Sequence, residues 1–261
     1  MIADPYIQLS EDEGATWSKP ILIIDPVGYF VVNNDRLIQL SNGRLVVPAA
    51  FHRTAASDHI SWRAFDGRGI MMWYLSDDEG QTWREAKTWW AHPTNGQLQE
   101  PGVIELKDGR LFCYCRTTMG CQYGMYSEDA GETWSAPEPT SFISPCSPLS
   151  IKRIPKTGDL LAIWNDHSGQ FPIPDQNAFT DRTPLVTAIS TDENKTWTFR
   201  KMLEGSFDES YCYTAIHFLK DTCLIAYALG SRDPVTKVSQ SHLSNVRMRR
   251  VSIDWLYEVS P

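Results

Sequence analysis

The sequence predicts an all-β chain, a single β-propeller domain over residues 1–261 with about four and a half blades. Two observations carry this. The pattern Ser-x-Asp-x-Gly-x-Thr-Trp occurs at 10–17, 76–83 and 127–134, with a fourth copy at 190–197 in which Asn194 replaces the glycine. The copies start 66, 51 and 63 residues apart, close to blade length and far above the repeat of helical solenoids. Between them run short segments rich in β-branched and aromatic residues, broken by Gly-, Asn- and Asp-containing turns, with no useful length of helical period.

Each box reads as a tight turn joining two antiparallel strands. The Asp at its third position can accept from downstream backbone N–H groups, the Gly or Asn at the fifth tolerates φ > 0, and the Trp opens the next strand with a large face to bury. A calcium loop would need more oxygen ligands and a closing Glu, which the box lacks.

In chain order, residues 1–24 supply a partial blade. Residues 30–90 supply a full one, with Leu37–Leu40, the turn Ser41-Asn42-Gly43, Leu45–Val47, a long loop and a boxed hairpin that follows Ile70–Leu75. Residues 100–140 repeat this compactly around Lys107-Asp108-Gly109, residues 146–203 form a third unit with Leu185–Ile189 before its box, and 211–257 form a last blade without a box.

A hydrophobic content of 42%, with 16 Gly and 16 Pro scattered, fits one large β domain. The formal charge of −8 argues against nonspecific nucleic-acid binding and requires a local basic pocket for any anionic ligand. Six cysteines without a CxxC pair read as buried free thiols; no metal or cofactor is expected. No membrane span or export signal is visible, so a cytoplasmic location and no membrane partner are expected. An incomplete ring leaves a sheet edge, and a homo-oligomer through that seam is expected.

Aligning the blades on Gly43, Gly109, Gly158 and Thr222 places Asn34, Glu100, Leu149 and Tyr213 nine residues earlier, at the start of the innermost strands. The antiparallel second strands return His52, Arg116 and Asn165-Asp166-His167 to the same mouth, and Arg68 and Arg182 precede the third strands. One rim is therefore expected to gather Glu100, Tyr213, Arg116 and Arg182. Packing or solvated roles are the plain alternative for each of them, and a hydrogen-bonded structural role for His52 and His167. The adjacent Asp166-His167-Ser168 cannot converge on one atom as a triad.

The boxes, Glu100-Pro101, Arg116, Arg182 and Tyr213-Thr214 together resemble the bacterial exo-sialidases, six-bladed propellers of the neuraminidase type. The resemblance spans most of the chain. It implies that Arg116 and Arg182 are two members of an arginine triad gripping a substrate carboxylate, that Tyr213 is the nucleophile, and that Glu100 is its base. A phenol suits this substrate class because the anomeric carbon already bears a carboxylate, which would repel an attacking Asp or Glu. Asn34, Asp35, His52, Arg68, Gln122 and Asp166 complete the candidate substrate-binding set. The family's general-acid Asp and its remaining Arg belong to a first blade expected to be missing here; Asp35, Asp58 or Asp66, and Arg36, Arg53 or Arg68, are the candidate stand-ins. The implied function is a sialidase-like glycoside hydrolase that releases terminal sialic acid or related 2-keto acidic sugars from sialoglycoconjugates. The alternative is a non-catalytic propeller binding acidic sugars or proteins.

Overall fold

A computed structural model describes residues 2–54, 66–173, 182–231 and 243–258. It is all-β apart from one five-residue helix. Strands β1 (Tyr6–Ile7) and β2 (Ile21–Leu22) pair as a ribbon flanking the first box. Four larger antiparallel sheets follow in chain order.

The first contains β3 (Tyr29–Val31), β4 (Ile38–Gln39), β5 (Leu45–His52), β6 (Ile70–Ser76), β7 (Arg84–Glu85) and β8 (Trp90–Ala91). Its innermost strand is split: β3 pairs with one end of β5 (Tyr29↔His52) and β4 with the other (Gln39↔Leu45). The expected continuous segment Leu37–Leu40 is thus only a two-residue strand. Asp35, at φ 56°, lies in the interruption, where a left-handed residue ends extended pairing.

The second sheet has the order β12-β11-β10-β9, from β9 (Leu98–Glu105), β10 (Leu111–Thr117), β11 (Cys121–Ser127) and β12 (Glu138–Ile143). The third runs β13 (Ser150–Arg153), β14 (Leu160–Asn165), β15 (Leu185–Ser190), β16 (Thr198–Glu204). The last has three strands, β17 (Glu209–Leu219), β18 (Thr222–Ser231) and β19 (Asn245–Ser252), followed by α1 (Ile253–Tyr257), whose N-terminus is capped by the Ser252 hydroxyl.

Glu100 and Tyr213 do not begin their strands, as the alignment predicts, but lie inside β9 and β17 at φ 49° and 58°. In β17 the register with β18 shifts between Cys212 and Ala215, so Tyr213 occupies a bulge.

All four boxes share one hydrogen-bond pattern. The Ser hydroxyl donates to Asp Oδ1 (2.8–2.9 Å), and the N–H of the fifth residue donates to Ser Oγ (2.7–2.9 Å). The Thr N–H and hydroxyl donate to the two Asp oxygens at 2.5–2.9 Å. The Trp indole donates to the glycine carbonyl in the first three copies and to Asn194 Oδ1 in the fourth. Hydrogen bonds from Thr16 and Thr196 hold the Asp12 and Asp192 carboxyls down at about 2.

By contacts the chain forms two compact units, residues 1–112 with 125–137, and residues 113–124 with 138–261. The first has a core of Ile23, Ile24, Phe30, Val47, Ala49 and Tyr74, and a Trp73–Trp134 stack at 4.5 Å. In the second, Leu161, Ile163, Ile189, Ile216, Ile225 and Leu256 pack together. The six cysteines are buried thiols outside any disulfide.

Candidate active site

Three of the predicted residues meet in the second unit. Arg116 is the penultimate residue of β10, and its Nε donates to Cys146 Sγ at 3.0 Å. Arg182 precedes β15; one of its terminal nitrogens lies 3.5 Å from the Cys146 carbonyl oxygen, and its guanidinium carbon lies 5.4 Å from the centroid of the Tyr213 ring. A cation over an aromatic face is attracted by the ring quadrupole.

Strand β17 is fixed on both sides of Tyr213. The Tyr211 N–H donates to the Arg182 carbonyl at 2.8 Å, and the buried Thr214 hydroxyl donates to Ser150 Oγ, which donates back to the Thr214 carbonyl, each at 2.9 Å. Holding a non-glycine residue at positive φ requires such support, because the conformation costs on the order of 1–3 kcal/mol.

Gln122 is fully buried in β11. Its amide nitrogen donates to Ser144 Oγ (2.7 Å) and to the Ser147 carbonyl (2.8 Å), so its partner is the loop that carries Cys146. Asp166 is also fully buried; it accepts from Arg200 (3.2 Å) and from the Ser168 N–H (2.9 Å). His167 Nε2 lies 3.1 Å from the Thr183 carbonyl, beside Arg182.

In the first unit Glu100 is buried in β9, beside Gln99, whose amide donates to the Gly67 carbonyl at 2.7 Å. His52 is buried at the end of β5 with Nδ1 3.0 Å from the Asp66 carbonyl oxygen. The Asp66 carboxylate accepts from Arg68 through Nε and a terminal nitrogen, both at 2.9 Å, and from Arg53 at 2.7 Å. Hydrogen bonding to Arg68 holds its carboxyl well below the usual carboxylate range. An acid that is ionised this firmly is a poor proton donor, so Asp66 does not suit the stand-in role, and Arg68 and Arg53 are its counter-ions. Asn34 and Asp35 are exposed between β3 and β4, and Arg36 beside them is buried. Asp58 lies outside the described residues.

Among the described residues no group of three His, Cys, Asp or Glu side chains is placed to hold a metal ion. The sequence marks Cys146 only as a buried thiol and not as a partner of Arg116, because that bond joins positions 30 residues apart.

The profile of the BNR repeat-like domain matches residues 3–225. The sialidase of Bacteroides fragilis is 28% identical over 235 residues, 84% of this chain and 38% of that protein. The anhydrosialidase of Macrobdella decora is 30% identical over 154 residues, 54% of this chain and 18% of that one. Among solved structures, the intramolecular trans-sialidase from Ruminococcus gnavus, in complex with oseltamivir carboxylate, is similar with a TM-score of 0.68 at 21% identity, covering 98% of this chain and 51% of that one. The chain therefore spans less than two-fifths of the length of these curated relatives.

Proposed function

The chain belongs to the BNR repeat-like family and has the fold of the sialidase propellers, and on that premise we propose that it is a retaining sialidase-like glycoside hydrolase acting on terminal sialic or related 2-keto acidic sugars. The observation that carries this is the convergence of Arg116 and Arg182 on Cys146 with the Tyr213 ring under Arg182. Two guanidinium groups supply planar donors matched to a carboxylate, and both stay charged at any working pH.

In the proposed reaction the carboxylate of the sugar is gripped by Arg116 and Arg182. The Tyr213 oxygen attacks the anomeric carbon as its phenolic proton leaves to a base, and the bond to the leaving oxygen breaks with its electron pair, the departing oxygen taking up a proton from solvent. Water then attacks the glycosyl-tyrosine, restores the phenol and releases the sugar with retention. A phenol is uncharged until its proton leaves during attack, and this lets it approach a carbon that already carries a carboxylate.

Tyr213→Phe removes one hydroxyl and keeps the ring beneath Arg182. Hydrolysis of an aryl sialoside should fall to background while the melting temperature holds. Unchanged turnover would remove Tyr213 from the nucleophile role.

A second reading, a propeller that binds acidic sugars without cleaving them, is favoured by one observation: Asp66, a candidate acid, is committed to Arg68 and Arg53. Binding of sialic acid with no turnover of an aryl sialoside would select it.

A further inference from the structure

We propose that Cys146 is a positioning residue of the carboxylate clamp, the shared fixture that sets the guanidinium planes of Arg116 and Arg182; this rests on the function proposed above. Cys146 is only 8% exposed, and it meets both arginines with different atoms, Arg116 Nε through Sγ at 3.0 Å and Arg182 through its backbone carbonyl oxygen at 3.5 Å. A guanidinium is a rigid plane, so committing Nε of Arg116 fixes the rotation of that plane and the direction in which its terminal nitrogens point. The Arg182 contact is long and contributes mainly by direction.

The loop that presents Cys146 is itself held. Pro145 precedes Cys146 and Pro148 follows Ser147, which limits the backbone. The Ser147 N–H donates to the Pro145 carbonyl at 2.7 Å, closing a tight turn around Cys146, and the Ser144 N–H donates to the Gly120 carbonyl at 3.0 Å. From below, the buried Gln122 amide donates to both sides of the turn, at Ser144 and Ser147. Fixed turn, fixed thiol and fixed guanidinium therefore form one chain of contacts, which Gln122 braces through Ser144 and Ser147.

The test is calorimetry of the full chain with sialic acid, together with KM and kcat on an aryl sialoside, for Cys146→Ala, Cys146→Ser, Arg116→Lys and the double variant Cys146→Ala/Arg116→Lys. Cys146→Ala should weaken binding about ten-fold and raise KM with kcat nearly unchanged, because the clamp holds the carboxylate alike in ground and transition states. Cys146→Ser offers another acceptor and should recover affinity to within about three-fold of the parent. In the Arg116→Lys background, which lacks Nε, the alanine change should add less than about two-fold. Parent-like affinity of Cys146→Ala, equal losses for Ser and Ala, or full additivity with Arg116→Lys would each overturn the proposal while leaving the function standing. A folded parent that binds no sialic acid would overturn both. Should the alanine variant not fold, the serine variant alone decides: retained affinity supports the fixture and a ten-fold loss overturns it.

Discussion

Replacing Arg182 by lysine separates a carboxylate clamp from an ordinary surface cation. Lysine keeps the charge and loses the planar fork, so a bidentate contact becomes a single point contact. The loss of one charge-assisted hydrogen bond is worth about 1.5–3 kcal/mol, or about one to two decades in dissociation constant. Stability should hardly respond. The side chain is half-buried, its bond to the Cys146 carbonyl is 3.5 Å long, and the strand anchor at this position is the Arg182 backbone carbonyl, which accepts from Tyr211 whatever the side chain. The contact with the Tyr213 ring, 5.4 Å from guanidinium carbon to centroid, is weakened rather than abolished, since an ammonium is also drawn to a ring face. Calorimetry with sialic acid and with its methyl ester, whose carboxylate is masked, reads the effect. The parent should prefer the free acid strongly and Arg182→Lys much less so, with melting temperatures within about 2 °C. A lysine variant that binds the acid as tightly as the parent refutes the clamp.

The boxes make further predictions. Trp134 is 4% exposed and stacked on Trp73, whereas Trp17 in the equivalent position is 61% exposed, so Trp134→Ala should cost about 3–5 kcal/mol and Trp17→Ala under about 1 kcal/mol in chemical denaturation; equal losses would show that the box tryptophan acts within its own turn. Asp12 and Asp192 have folded values of about 2, below an unfolded value of about 3.9. Their contribution is thus complete above pH ~4 and is lost as pH falls toward ~2. Asp192→Asn should flatten the fall in melting temperature across that window, and an unchanged slope would mean that other carboxylates govern acid unfolding.

The boxes were legible in the sequence because the bonds of their shared Ser-Asp-Thr-Trp pattern close within eight residues, so identity and spacing alone determine the turn. Asn194 could replace the glycine because it adopts φ 70° and offers its side-chain oxygen to Trp197. The split strand was not legible. Tyr29–Val31 is three residues long, and its pairing with Ala50–His52 depends on where the chain returns some twenty residues later. Alternation and turn position fix the ends of antiparallel partners, which is why Arg116, Arg182 and Tyr213 were readable as neighbours. The contacts of Cys146 come from distant strands, and those of Gln122 from a loop twenty-odd residues on, so neither was readable from spacing. Asp66 was half legible: Arg68 stands two residues away and pairs with it, but Arg53 pairs with it from thirteen residues earlier in the chain.

The left-handed residues add an argument independent of any motif. Most of those at positive φ among the described non-glycine residues lie in box turns or other turns; Glu100, Phe199 and Tyr213 lie within strands. Phe199 packs edge-on against Tyr257 at 5.6 Å, so strain inside a strand can serve packing alone and does not by itself mark a site. Tyr213 differs in its partner, a guanidinium instead of a second ring. A strand under selection only for pairing would place glycine there or shift register, since either removes a cost of about 1–3 kcal/mol. Here the chain keeps a tyrosine at the bulge and ties it down at Tyr211 and Thr214. A bulge breaks the strict alternation of faces, which re-aims one side chain while its neighbours stay in the sheet. Glu100, at the equivalent blade position, has the same left-handed backbone in its own sheet. The repeat therefore offers a place where a blade can turn one side chain out of the packing pattern, and in these two sheets the residues that occupy it are a carboxylate and a phenol.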